Sequence, residues 1–255
     1  MVGKYAHERG LLPGNPVLAT RAPRRERYVA RTLSDGDVDR LLAAARERAG
    51  GRHYALFAFL VSEGLRLGEA LGLRWTDIDL DAPSGPSGPT VTVHHQAEWL
   101  RETEGGGYRL SPPKSDSSLR QLPLIPTVVD ALRVQKIRCK ELQLAAGKRW
   151  HQAGAGGFVF PSSTGTPLSP RNVHRDFTLT LAAAGLAPVR LHDLRHSAAQ
   201  TLFDHGADLK TVSAVLGHSQ LSVTADLYLR GSARLLTGAF ETMQTARQGT
   251  GSGAR

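Results

Sequence analysis

Apolar residues recur three and four apart through Val38, Leu41, Leu42 and Ala45, the stripe of a helix with one buried face. Ser34 stands before it as an N-cap, Asp37 three residues on resembles the second half of a capping box, and Gly50-Gly51 ends the run. A more uniformly apolar helix is predicted from about His53 to Ser62, stopping at Gly64, and a short one from about Leu67 to Leu71. The pattern then changes. Trp75–Leu80, Thr90–His94, Tyr108–Leu110 and Gln121–Ile125 read as short strands, separated by the turn-forming stretches PSGPSGP and EGGGY. Helix returns over Thr127–Gly147, with Val128, Leu132, Ile137 and Leu144 among its apolar positions. After HQAGAGG and the turn-rich FVFPSSTGTPLSP, the chain is helical again from Arg171, with breaks at Gly185, Gly206 and Gly217. The expected fold is α+β, mainly α-helical with a small antiparallel β-sheet and no internal repeat.

At 255 residues and 40% hydrophobic content, the chain holds one good-sized domain, or one domain with a small appendage. No run approaches twenty apolar residues, so no membrane span is expected, and the polar opening Met1–Gly10 lacks the apolar core of a secretory signal. Cys139 stands alone, which excludes an internal disulfide and a cysteine-rich zinc cluster and fits a reducing cytoplasm. Charge adds more: 32 Lys and Arg against 23 acidic residues give +9, which favours a polyanionic partner such as nucleic acid. Gly10–Arg27, rich in Pro, Gly and Arg, reads as a linker, and the Gly-, Thr- and Ser-rich tail after Thr245 as disordered.

The candidate chemistry concentrates in LHDLRHSAAQTLFDHGADLKTVSAVLGHSQLSVTADLYLR, residues 191–230. His192, Arg195 and His196 stand three and four apart and share one helix face, with Leu194, Ala198, Leu202 and Phe203 supplying the buried side. Imidazoles and a guanidinium are seldom gathered merely for packing. The next helix, Asp208–Leu216, ends at Gly217, suited to a left-handed cap, and delivers His218 at the start of the following turn. Tyr228 lies ten residues further on. Upstream, SEGLRLGEALGLRW places Arg66 at a helix start with Glu69 one turn later, and SPPKSDSSLRQLPL places Lys114 in a polar hairpin between two strands.

An Arg in a GLR-x-x-E context, a hairpin Lys, H-x-x-R, then GH, then Tyr is the ordered pattern of the tyrosine recombinases. The chain resembles the catalytic domain of this phage integrase family from about residue 30 to 240. The resemblance implies that fold, and an enzyme that breaks and rejoins double-stranded DNA through a 3′-phosphotyrosine, with no metal, ATP or other cofactor. It implies Arg66, Lys114, His192, Arg195, His218 and Tyr228 as catalytic residues, with Glu69 supporting. It further implies a tetramer assembled on DNA, accessory DNA-bending proteins as further partners, and a place in the bacterial cytoplasm at the nucleoid. The expected organisation is a remnant of a core-binding domain and its linker over 1–28, the catalytic domain over 29–245 and a disordered tail over 246–255. In the family two domains clamp the duplex, so a half-clamp is expected to bind weakly and salt-sensitively. Ala233–Met243, with Leu235, Leu236, Ala239 and Phe240, is an apolar candidate for docking on a neighbouring protomer.

The chemistry of phosphodiester cleavage asks for the same residue types. Negative charge builds on two non-bridging oxygens, which guanidinium forks and an imidazole N–H bind well. A flexible ammonium suits proton delivery to the leaving 5′-oxygen, His192 suits removal of the Tyr228 proton, and Glu69 suits orientation of the arginines. Each residue alone has an ordinary reading: Tyr228 as a packing tyrosine, Arg66 as an ion-pair partner of Glu69, Lys114 as a solvated hairpin charge. His205 and the pair His94-His95 read as residues without a role, and Trp75, Trp99 and Trp150 as packing. Two rival readings stay open. HDLRH mimics the HExxH helix of zinc hydrolases, although Asp is a methylene short of Glu and no third ligand follows. Leu194–Leu216 has helix-turn-helix rhythm about Gly206, which fits a truncated, non-catalytic DNA-binding module.

Overall fold

The computed structural model describes residues 2–14, 30–82, 88–100, 103, 106–112, 118–151, 156–222 and 224–225. The chain divides into two compact units, Met1–Ala30 and Arg31–Arg255. In the first, helix α1 (Val2–Glu8) closes with the Leu11 N–H on the Ala6 carbonyl, and Arg9 lies over the Tyr5 ring.

The second unit is built around α3 (Tyr54–Glu63), whose residues Tyr54–Val61 are all buried. A helix apolar on every side must be surrounded. α2 (Asp35–Glu47), α5 (Pro126–Ala146) and α7 (Asp193–Asp204) pack against it. α2 starts with the complete capping box anticipated at Ser34 and Asp37. α6 (Pro170–Ala183) joins through Phe57 and Phe177, edge to face with ring centroids 5.4 Å apart, and through a buried polar link in which Asp176 takes His53 Nδ1 and Arg48. α8 (Leu209–Leu216) closes a smaller core with α7, made of Ala199, Phe203, Val212 and Leu216. Among the described residues, no helix is long and apolar enough to cross a membrane.

The β structure differs in detail from expectation. β1 (Ile78–Asp79), β2 (Thr90–Val93) and β5 (Arg120–Pro123) form a three-stranded antiparallel sheet in the order β1-β2-β5. β3 (Gln96–Trp99), which the alternation of QAEW was too short and polar to announce, pairs with β4 (Tyr108–Ser111) in a separate two-stranded sheet. The first half of the strand expected over Trp75–Leu80 is a 3-10 turn, because the Asp77 carboxylate takes the Arg74 N–H at 2.8 Å and curls Trp75–Asp77, and the strand is confined to Ile78–Asp79. β4 and β5 pair with different strands, β3 and β2, and not with each other. Of the four apolar positions anticipated on α5, Val128 and Leu132 are buried while Ile137 and Leu144 face outward.

The short helix α4 (Leu67–Gly72) lies on β3 so closely that a Cβ at Gly72 would meet the Ala97 nitrogen at 2.9 Å. Between α3 and α4, Gly64 ends α3 in the left-handed region, φ +62°, and a Cβ there would meet Leu216 Cδ2 at 2.8 Å. Just before it, Glu63 is 5% exposed; one carboxyl oxygen has no hydrogen-bond partner among the described residues. Burial pushes this carboxyl up to about 7, against the pull of the Ile125 N–H. Between about pH 4.5 and 7 the folded chain therefore holds a proton that the unfolded chain has lost, so this group's contribution to stability falls as pH rises. The Glu63→Gln variant should gain on the wild type by about 2–3 kcal/mol across that window and show a constant difference above it, read from urea unfolding midpoints at stepped pH.

Candidate active site

The last carbonyls of α8 have no helical partners, and the helix dipole places partial negative charge on them. Three consecutive ones are each taken by a different arginine. Arg120 Nε donates to the Val215 carbonyl at 2.7 Å, Arg195 Nη2 donates to Leu216, and Arg66 Nη2 reaches Gly217 at 3.4 Å. These arginines come from β5, α7 and the residue before α4. Arg195 also donates to the Gly64 carbonyl at 2.7 Å, so the left-handed end of α3 and the end of α8 share one guanidinium.

Glu69 joins two of the three. Its carboxylate takes the Arg66 N–H at 2.9 Å, Arg66 Nη1 at 2.7 Å and Arg120 Nη2 at 3.0 Å. Burial would raise the Glu69 carboxyl, but Arg120 and Arg66 outweigh it and hold it below the usual range. Burial, with the like charge of Arg66 beside it, pulls Arg195 down to about 9, which still leaves it charged at neutral pH. Three guanidiniums against one carboxylate leave a net positive site. Arg120 and Arg195 are buried within it, while the Arg66 side chain is 38% exposed and faces outward.

The histidines complete the rim. Gly217, with φ +64°, turns the chain at the end of α8 and sets His218 beside the arginines. His218 Nδ1 is bonded to the buried Thr224 Oγ1 at 2.8 Å, so Nε2 is the ring nitrogen left for a ligand. Burial first, then Arg195 and Arg66, lower His218 to about 4. It is a neutral imidazole at physiological pH. His192 precedes α7 and packs edge to face on His196, ring centroids 5.3 Å apart. Burial and the His196 and Arg195 charges lower it too, so it stands as an unprotonated base at neutral pH. Within HDLRH, Asp193 is buried and turned back onto the Arg190 N–H at 2.9 Å, an N-terminal tie of its own helix. Such a site is suited to an oxyanion: fixed donors on two sides, a neutral imidazole and a base nearby.

Residues 100–234 match the phage integrase family, more than half of the chain. The chain belongs to that family. A tyrosine recombinase XerC-like protein of Caldanaerobacter subterraneus subsp. tengcongensis is 30% identical over 250 residues, 94% of this chain and 62% of that protein. The chain thus spans about three fifths of the length of the curated relatives it matches. Among solved structures, the fold is similar to the Tn1549 transposon integrase in complex with transposon right end DNA, with a TM-score of 0.66 and 20% identity over 89% of this chain and 72% of that one. It is also similar to a lambda integrase tetramer bound to a Holliday junction, with a TM-score of 0.53 and 21% identity over 88% of this chain and 55% of that one.

Of the residues anticipated from the integrase pattern, the fold brings Arg66, Glu69, His192, Arg195 and His218 together. Lys114 and Tyr228 lie outside the described residues. Arg120 is the residue that sequence reasoning missed. The strand expected there begins at Gln121, one residue past it, and only the pairing of Arg120 opposite Val93 turns it under α8. Its role separates from that of Arg66. Arg120→Ala leaves the buried Glu69 carboxylate without one of its two guanidinium partners and should cost about 3–5 kcal/mol in urea unfolding. Arg66→Ala keeps the backbone bond to Glu69 and should cost less than about 1 kcal/mol, while weakening anion binding.

Proposed function

We propose that the chain is the catalytic part of a site-specific recombinase that cleaves and rejoins double-stranded DNA through a covalent 3′-phosphotyrosine at Tyr228. The observation that carries this reading is the convergence of Arg66, Arg195 and His218 at the end of α8. The Tyr228 oxygen attacks the scissile phosphorus while the bond to the 5′-oxygen breaks. Arg66, Arg195 and the His218 N–H hold the two non-bridging oxygens as charge builds on them, each such donor contributing roughly a hundred- to thousand-fold in rate. Arg195 uses two of its five N–H groups on carbonyls and so keeps others to offer. His192 takes the Tyr228 proton, and Lys114 supplies one to the leaving 5′-oxygen. Glu69, with Arg120 behind it, orients the arginines. The phosphotyrosine conserves the phosphodiester energy, so rejoining to a second 5′-hydroxyl needs neither ATP nor metal.

Net charge of +9 and the exposed Arg66 favour DNA as the polyanion. The action proposed is in the bacterial cytoplasm, at the nucleoid, with accessory DNA-bending proteins as helpers. The wild type and Tyr228→Phe are incubated with labelled duplexes nicked near candidate sites and run on denaturing gels. A slower protein–DNA band that requires Tyr228 and survives EDTA is expected. A chain that binds DNA yet forms no band, even with a core-binding domain joined to it, is instead a DNA-binding module without catalysis. Assembly follows the same logic: we expect a monomer in free solution and a tetramer on DNA, with Ala233–Met243 as the docking segment. Sedimentation showing stable tetramers without DNA counts against that arrangement.

A further inference from the structure

His94 and His95, which had no role in the sequence reading, converge on one acidic residue at the edge of the three-stranded sheet. Consecutive side chains on a strand point to opposite faces. β2 stops at Val93, however, and beyond it the two rings come together edge to face with centroids 4.3 Å apart. His94 Nε2 is 3.1 Å from Asp77 Oδ1, and the Asp77 side chain is 4% exposed. Asp77 Oδ2 is engaged by the Arg74 N–H, which fixes the carboxylate, while Oδ1 faces His94 and takes a long hydrogen bond from Thr76 Oγ1 at 3.4 Å. One ligand atom from each of Asp77, His94 and His95 lies within 4.8 Å of the other two. A hydrogen bond to Asp77 accounts for His94 but not for His95, whose Nδ1 is buried with no hydrogen-bond partner among the described residues.

We propose that Asp77, His94 and His95 form a binding site for a divalent transition metal of the zinc class, separate from the arginine cluster. Donors about 2.0–2.2 Å from zinc in a tetrahedron are roughly 3.3–3.5 Å apart, close to the His94–Asp77 separation. Two imidazoles with one carboxylate favour zinc or nickel over calcium or magnesium, which take oxygen donors. Water completes the coordination. Three protein ligands with water in the fourth place set the affinity in the micromolar range and not at the tighter binding of a closed four-ligand site.

The position gives the ion a mechanical consequence. Val93, just before the histidines, is the register partner of Arg120, and Gln96, just after them, opens the strand on which α4 lies. A metal held there braces the link between the strand beside Arg120 and the strand beneath the helix that carries Glu69. It supplies no step of the proposed chemistry, and its presence does not depend on that reading.

The test uses the whole chain stripped of metal by chelation, then titrated with zinc chloride by calorimetry beside His94→Ala and His95→Ala. One equivalent should bind the wild type with micromolar affinity, and each variant should bind at least tenfold more weakly with an unchanged circular dichroism spectrum. Cobalt(II) on the wild type supplies a measurement that needs no variant: the intense visible bands of a four-coordinate ion are expected. No zinc binding, equal binding by both variants, or only the weak spectrum of the hydrated cobalt ion overturns the site. Hydrogen exchange gives a further check, with zinc slowing exchange in β3 and α4 of the wild type and not of His95→Ala.

Discussion

Three orphan carbonyls at the end of α8 organise the candidate active site. A helix C-terminus buried among apolar residues needs donors, and Val215, Leu216 and Gly217 each receive one arginine. The same bonds that satisfy the helix hold three positive charges close together, against their mutual repulsion. Glu69 makes that arrangement tolerable by sitting between Arg66 and Arg120. Structure and chemistry are therefore coupled: whatever loosens the end of α8 also disperses the charges that would meet a phosphate.

The division of labour among the arginines follows from burial. Arg120 is buried, linked to a carboxylate and two carbonyls, and acts as framework. Arg195 is equally buried but joins only carbonyls, so its charge is uncompensated by a direct anion partner among the described residues. Arg66 is tethered to Glu69 at one edge and open to solvent at the other. A site whose charge exceeds its internal neutralisation is prepared for an anionic ligand, and the lowered His192 and His218 supply neutral imidazoles rather than further cations.

The surrounding fold serves this geometry. α3 is buried on all sides and anchors α2, α5 and α7, while its left-handed end at Gly64 offers the carbonyl that Arg195 takes. Glycine is required there twice over, by backbone conformation and by the closeness of Leu216. The contact of Gly72 with β3 fixes α4, and with it Glu69, relative to the small sheets.

Local sequence determined much of this. Periodicity and capping residues placed the helices at Ser34, Gly64 and Gly217 because those signals act within one turn of the backbone. The ordered pattern of Arg66, Lys114, His192, Arg195, His218 and Tyr228 carried the resemblance to the integrases, because residue type and order are properties of the chain and need no tertiary contact. Strand partners were decided only by the tertiary structure. Short strands carry little local signal, and pairing depends on what each face meets, so β3 went unannounced and the partners of β4 and β5 could not be read from the chain. Arg120 entered the site for the same reason: it lies 95 residues from the carbonyl it binds. The convergence of His94 and His95 on Asp77 likewise arises where a strand stops, a point that no periodicity marks.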